Sequence, residues 1–392
     1  MKVVHITTTD YGGAYRAASN ISIAMRKQGI ESVLLVREKS GSESVVPAID
    51  TRLALLRSKM RNFFNLLISH GDVVNDRFGY EIHRHFLVKE ADVIVLHWVN
   101  SFVSYRGVER LLRSGKPVIW VLHDMWLMTG GCHYDKECGK YQGECRDCPL
   151  LRNRVSLTCR LQKRKKKMLA FGNFTAVGCS QWITECAGKS LILNGKRCLC
   201  IQNPVNTEIY QTKCRRRESQ GKKRVLFGAM SLRDERKGLD LLIKAFGYLP
   251  KEQYTLLVVG EAERQVLEGL EFEYRFWGRV ESQEQMAEIY NMADVYVIPS
   301  RQENLSNAVT EAMACGVPVA AFDIGGMADM IVHHENGYLA SAFEEKDLAM
   351  GIVYCIEHGE RLGKNAREWV EIHNSYDVIG VQYRKLLEDL IS

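Results

Sequence analysis

Short β-branched runs alternate with longer amphipathic stretches along the whole chain, and this alternation restricts the fold more than any other feature. The first half reads KVVHIT, a helix from about Ala14 to Gln28, ESVLLV, ADVIVLHW, PVIWVLHD, FTAVGCS and CLCIQNP. After a polar segment, a second series reads KRVLFGAM, GLDLLIKAFGYL, YTLLVVGE, YRFWGRV, SQEQMAEIYNMA, DVYVIPS, AVTEAMACG, PVAAFD and NGYLA. Strands apolar on both faces, separated by helices, belong to parallel sheets covered on both sides. A chain of 392 residues also exceeds what one core usually serves. The reading is therefore α/β, with two Rossmann-like doubly wound domains facing a central cleft: residues 1–205, a hinge at 206–221, and residues 222–370. A last helix over 371–392 is expected to cross back to the first domain. In such folds ligands bind beyond the carboxyl ends of the strands.

The rest of the composition excludes several classes. No stretch approaches the roughly 18 apolar residues of a membrane span, and MKVVHITTTDYGG lacks the apolar core of a signal peptide. A cytoplasmic protein is expected, so its twelve cysteines should be reduced thiols or metal ligands. The net charge of +6 is concentrated in RLQKRKKK (Arg160–Lys167) and KCRRR (Lys213–Arg217). No nucleic-acid-binding motif surrounds these runs, and no nucleic-acid partner is expected. A solvated face and an anionic membrane surface are both open for Lys163, Arg164, Lys165, Lys166 and Lys167.

One stretch carries chemistry. In RQENLSNAVTEAMACGVPVA, Glu303 falls in a loop after a strand and Glu311 on the first turns of the next helix, which starts near Ser306 or Asn307. A helix N-terminus suits a phosphate, and flanking carboxylates suit sugar hydroxyls. Spacing alone favours a turn role for Glu303 and a solvated role for Glu311.

The longer segment PSRQENLSNAVTEAMACGVPVAAFDIGGMADMIVHHENGYL resembles the donor-binding block of the large retaining glycosyltransferase family of GT-B fold, the glycosyl transferases group 1. GGAYRAA (Gly12–Ala18), HDMW (His123–Trp126), NPVNTEIY, RDERKGLDLLIKAF (Arg233–Phe246), VVGE and FWGRV follow in that family's order. The resemblance covers nearly the whole chain and is weakest between about Ser40 and Gly79. It implies that Arg233 and Lys237 grip the diphosphate of a UDP-sugar or GDP-sugar, where two fixed cations stabilise departing negative charge. Glu311 would hold the ribose, and Glu303 with Asn304, Leu305 and Ser306 the sugar and phosphate. The backbone at Arg279 would lie near the base, Gly12 and Gly13 against the ligands, Arg16 near an anionic acceptor, and His123 beside the donor sugar, with Asp124 a less central neighbour. The implied activity is retaining transfer of a hexose-type sugar to a surface-polysaccharide precursor, lipid-linked and at the inner face of the membrane. The leaving phosphate takes the proton, and no Asp-x-Asp pair marks a catalytic metal. A nucleotide-sugar epimerase, a glycan phosphorylase and a non-catalytic sugar-nucleotide-binding scaffold are the alternatives.

CHYDKECGKYQGECRDCP, at about 130–150, places five, six and two residues between Cys132, Cys138, Cys145 and Cys148. Four thiolates would make a closed structural zinc site, with His133 as a substitute ligand and free thiols as the alternative. A Cys-rich insertion at this place also occurs in polysaccharide-assembly members of the resembled family.

Overall fold

The computed structural model describes residues 1–40, 45–49, 52–69, 72–151, 157–213, 221–261, 266–268 and 270–392, with side chains from residue 55 onward in the helix that begins at Arg52. Residues 214–220 of the expected hinge, and the run Lys213–Arg217 beyond its first residue, lie outside them. The described chain divides into two compact units, Met1–Asn203 with Ile379–Ser392, and Pro204–Val378.

The first unit holds strands β1 (Lys2–Thr7), β2 (Glu31–Val36), β3 (Val45–Pro47), β4 (Val93–Leu96), β5 (Val118–Leu122), β6 (Phe174–Gly178) and β7 (Arg197–Cys200). They pair in parallel in the order β3-β2-β1-β4-β5-β6-β7. Its helices are α1 (Gly13–Lys27), α2 (Arg52–Ile68), α3 (Phe86–Glu90), α4 (Tyr105–Leu112), α5 (Leu157–Met168) and α6 (Gln181–Lys189). Alternation along each strand explains the continuous apolar runs. Val3, Val95, Ile119 and Val121 pack on one face with Ile21 and Met25 of α1. Val4, Ile6, Leu96, Trp120 and Leu122 pack on the other with Val108 and Leu111 of α4.

The second unit holds β8 (Lys223–Ser231), β9 (Tyr254–Glu261), β10 (Glu273–Phe276), β11 (Val295–Ile298), β12 (Val319–Phe322) and β13 (Gly337–Ala340), parallel in the order β10-β9-β8-β11-β12-β13. Around it lie α7 (Leu239–Phe246), α8 (Gln283–Met292), α9 (Asn307–Ala314), α10 (Glu345–Glu357) and α11 (Gly359–His373). Strand order reverses between β1 and β4 in one sheet and between β8 and β11 in the other, and each reversal opens a crevice at the strands' carboxyl ends.

The last apolar-periodic stretch is not one helix. After α11, Asn374 and Ser375 interrupt it, because the Asn374 carbonyl accepts from Val205 N at 2.8 Å and Ser375 bridges to Val205. Helix α12 (Tyr376–Ile391) then sends Ile379, Tyr383 and Leu387 into the first unit's core beside Val3 and Met25.

Gly363 of α11 sets how closely that helix approaches the loop after α9. A Cβ there would stand 2.2 Å from Gly316 O, a backbone atom that cannot swing aside. Gly363→Ala should therefore destabilise the second unit by about 1–3 kcal/mol through overpacking, despite alanine's better helix propensity. Equal or higher stability of the variant in urea unfolding would contradict this packing.

Candidate active site

In the second unit the loop leaving β11 carries Glu303, and a turn after β8 carries Lys237. The turn, Glu235–Lys237, is capped by the Asp234 side chain accepting from Arg236 N and ends at Gly238 with φ +70°. A Cβ on Gly238 would meet Pro299 O at 1.9 Å, so the glycine seats this turn against the end of β11. Lys237 Nζ then donates to Glu303 Oε2 at 2.5 Å. Arg236 Nη1 lies 3.5 Å from the same oxygen and donates to Gln302 O at 3.0 Å. Ser300 Oγ adds a longer bond of 3.4 Å.

Glu303 is only 6% exposed. Burial pushes its carboxyl up, but the Lys237 and Arg236 charges with the hydrogen bonds of Lys237 and Ser300 outweigh burial and hold it below the usual glutamate value. From the other side the Gly325–Gly326 turn closes on its backbone. A Cβ at Gly325, where φ is +53°, would strike Glu303 O at 1.9 Å.

Glu311 lies in α9 and is 3% exposed. It accepts from Tyr290 OH at 3.1 Å. Asn304, Leu305 and Ser306 are all buried. Ser306 is the residue before the first turn of α9, yet its hydroxyl does not cap the helix. Arg233 is exposed in the loop after β8, and its backbone N donates to Ser231 Oγ at 3.3 Å. Arg279 is exposed and pairs with Glu281 at 3.2 Å. The structure thus joins Lys237 to Glu303 directly. Sequence reading overlooked Arg236 and Tyr290. For Arg236 the signal was present in RDERK, where a third cation adjoins Lys237.

In the first unit Gly12 stands at φ +86° ahead of α1, and its carbonyl accepts from Arg16 N at 3.0 Å. A Cβ on Gly13 would meet nothing within 4 Å. His5 within β1, His97 just after β4 and His123 just after β5 form a series. His5 Nδ1 is 2.9 Å from His97 Nε2, and His97 Nδ1 is 2.9 Å from His123 Nε2. Burial keeps all three neutral, pushing His5 down to about 3, His97 well below its ordinary value and His123 down to about 4.

A neutral imidazole carries one N–H, so two bonds in series allow only two arrangements of protons. His5 Nε2 is buried with no partner among the described residues. Placing the proton there would strand an N–H, which is rarer and costlier than a stranded acceptor. The protons therefore sit on the three Nδ1 atoms, and the partly exposed His123 presents Nδ1–H as a donor. Beside it, Asp124 Oδ2 and His133 Nδ1 are 2.6 Å apart. Trp98 Nε1 is 3.5 Å from that same nitrogen, but the shorter contact makes Nδ1 a donor to the carboxylate, so the indole does not donate to it. Burial pushes Asp124 up and His133 down, and their mutual attraction reverses both shifts.

The loop expected to form a metal knuckle precedes α5. Cys132 and Cys145 are buried and Cys138 and Cys148 partly so. The thiols lie near enough to influence one another, and burial pushes Cys132 up to about 11 and Cys145 up to about 12. His133 is committed to Asp124, and among the described residues no three His, Cys, Asp or Glu side chains are placed to hold a metal ion. Helix α5 fastens the loop. Gln162 accepts from Cys145 N at 2.9 Å and donates to Gly143 O at 2.8 Å, and Thr158 donates to Cys145 O at 2.5 Å.

Helix α5 also corrects the reading of the basic run. Lys165 is fully buried, with Nζ donating to Trp126 O and Thr129 O and standing 3.6 Å over the Trp126 ring. Burial lowers its pKa to about 7. Lys163 pairs with Glu144 at 3.3 Å. Lys165 therefore lacks the free, solvated charge that the run suggested, whereas Lys163, Arg164, Lys166 and Lys167 are exposed.

Two pH effects follow with opposite causes. Glu303 has a lowered folded pKa, so its pairing stabilises the fold above the unfolded value near 4.5 and is lost as pH falls through the folded value. Stability measured against Glu303→Gln should converge with wild type at acid pH. The three histidines are also lowered, but as bases. Unfolded imidazoles take protons at and below about 6.5 while the folded ones stay neutral, so stability falls from pH 6.5 toward 4, by up to about 1.4 kcal/mol per pH unit for each ring. His5→Phe should flatten that slope. An unchanged slope would mean the series is not held neutral.

Residues 222–358 match the family described as Glycosyl transferases group 1. The colanic acid biosynthesis glycosyl transferase WcaC of Escherichia coli is 28% identical over 79% of this chain and 80% of its own length. The N-acetyl-alpha-D-glucosaminyl L-malate synthase of Bacillus anthracis is 29% identical over 38% of this chain, a match spanning 42% of that enzyme. Among solved structures, sucrose-phosphate synthase from Thermosynechococcus elongatus superposes with a TM-score of 0.69 at 19% identity, covering 99% of this chain and 98% of that one. Anabaena HepE in complex with UDP-glucose gives 0.67 at 18% identity over the whole of both chains. Residues 222–358 therefore match a group 1 glycosyl transferase domain, and the chain's two parallel-sheet units have the GT-B fold.

Proposed function

We propose that this glycosyltransferase moves a hexose-type sugar, with retention of configuration, from a nucleotide diphosphate sugar to a hydroxyl of a lipid-linked surface-polysaccharide precursor. The observation that carries the reading is the Lys237–Glu303 contact of 2.5 Å in a crevice at the ends of β8 and β11. A buried carboxylate and a cation in contact there, beside the start of α9, offer acceptors for sugar hydroxyls and a donor for phosphate. When the donor binds, its diphosphate competes for Lys237, and Glu303 turns to the sugar hydroxyls while Arg236 keeps its charge company. Arg233 adds a second cation from the loop after β8. Both cations meet more negative charge in the transition state than in the ground state, and that difference is the source of rate.

Glu311, aimed by Tyr290, takes the ribose hydroxyls, and the backbone from Asn304 to Ser306 takes sugar and phosphate. His123 donates Nδ1–H to a sugar hydroxyl. A neutral donor tautomer makes it a positioner and no general base, which fits transfer in which the leaving phosphate accepts the incoming proton. No catalytic metal is assigned a step. WcaC bears a polysaccharide-assembly name and HepE a complex with UDP-glucose, which supports an acceptor and a donor of these kinds.

Thermal shifts with UDP, GDP, ADP and their sugar conjugates test the reading. One nucleotide series should stabilise the wild type, and Arg233→Ala and Glu311→Ala should each weaken that shift by at least about tenfold in ligand concentration, as expected for a lost charge-assisted bond of about 1.5–3 kcal/mol. No shift with any nucleotide would sink the assignment.

A further inference from the structure

Helix α2 is turned inside out. Its inward face carries Ser58 and Asn65, each 3% exposed, with Asn65 exchanging bonds of 2.7 and 3.0 Å with the Phe78 backbone. Its outward face carries Leu56, Met60, Phe63 and Leu67, spaced four, three and four residues apart and each more than half exposed. Phe64 and Leu66 widen that stripe. A helix of a soluble surface has the reverse pattern, and an apolar patch of this extent marks a contact site.

The surrounding charge identifies the occupant. Arg57 and Lys59 are exposed and flank the stripe on its two sides, and residues 52–69 contain no Asp or Glu. At its C-terminal end the stripe runs into a pocket of about 360 Å³, where Leu67 and Leu161 meet Arg77, Arg160 and Arg164. Apolar side chains ringed by cations fit an anionic amphiphile: acyl chains take the stripe, and head-group phosphates take the arginines. A second copy of the chain fits poorly, because pairing α2 with α2 would bring like charges together.

We propose that α2, with the exposed cations of α5, is the surface by which this protein lies on an anionic phospholipid leaflet. The proposal rests on the reading that the acceptor is lipid-linked, and it places the docking element on α2 instead of on the Lys163–Lys167 run alone. No described helix is long and apolar enough to cross a membrane, so the attachment is peripheral and reversible.

The test is flotation of the full chain with vesicles of phosphatidylcholine, alone and mixed with phosphatidylglycerol. Wild type should bind the mixed vesicles and release in high salt. Phe63→Ser/Leu67→Ser and Arg57→Glu/Lys59→Glu should each weaken binding by at least about tenfold, while thermal unfolding and nucleotide-induced shifts stay at wild-type values. Binding that neither variant alters, or no binding by the wild type, overturns the proposal. So does a wild-type dimer that Phe63→Ser/Leu67→Ser dissociates without effect on flotation, since the stripe would then serve self-association. Vesicles contain no sugar acceptor, so a failed flotation with intact nucleotide shifts leaves the transferase reading standing, and the reverse result removes that reading alone.

Discussion

The second unit is organised around one buried negative charge. A carboxylate out of water is costly unless paired and hydrogen-bonded, and Glu303 is answered by Lys237 and Arg236 from a single short turn. That requirement ties the loop after β11 to the loop after β8, the two strands between which the order reverses. Glycines at 238 and 325 permit the approach, each standing where a side chain would strike a carbonyl. The pair that stabilises the loops is also the pair proposed to receive the donor. Ligand binding would then give Lys237 the diphosphate as its partner in place of Glu303.

The first unit meets the opposite problem with a buried cation. Among the described residues no carboxylate pairs with Lys165, and carbonyls of Trp126 and Thr129 and the face of an indole solvate it. Together with Gln162 and Thr158, it binds the segment after β5 to α5. This segment includes Asp124 and His133 and leads into the cysteine loop, so a residue in a run of lysines positions the neighbourhood of His123. Within that neighbourhood burial keeps the histidine series neutral. Neutrality and a single unpartnered nitrogen then decide which atom of His123 faces outward with a proton.

Helix α2 breaks the local rule that governs the rest of the chain. Elsewhere apolar periodicity points to a core; here it points to solvent, and the polar side is buried against Phe78. The segment from about Ser40 to Gly79 is also where the resemblance to known glycosyltransferases is weakest.

Much of the architecture was legible in the residues. Strands apolar on both faces, punctuated by helices, admit little besides parallel sheets. Glu303, Lys237 and Glu311 could be singled out by motif because each motif is local in sequence. Four features were not legible, and all depend on contacts distant along the chain. Arg236 reaches Glu303 across 67 positions, and Lys165 is buried only because Trp126 and Thr129 lie over it. The stop at Asn374 requires Val205, and α2 is inverted only relative to the body it packs on. Local propensity and periodicity follow from neighbours a few residues away, so the sequence by itself determined the elements and their class. Desolvation and pairing of charge depend on what the fold brings alongside, and only the tertiary structure decided which cations are buried, which proton His123 presents and which apolar face is left to water.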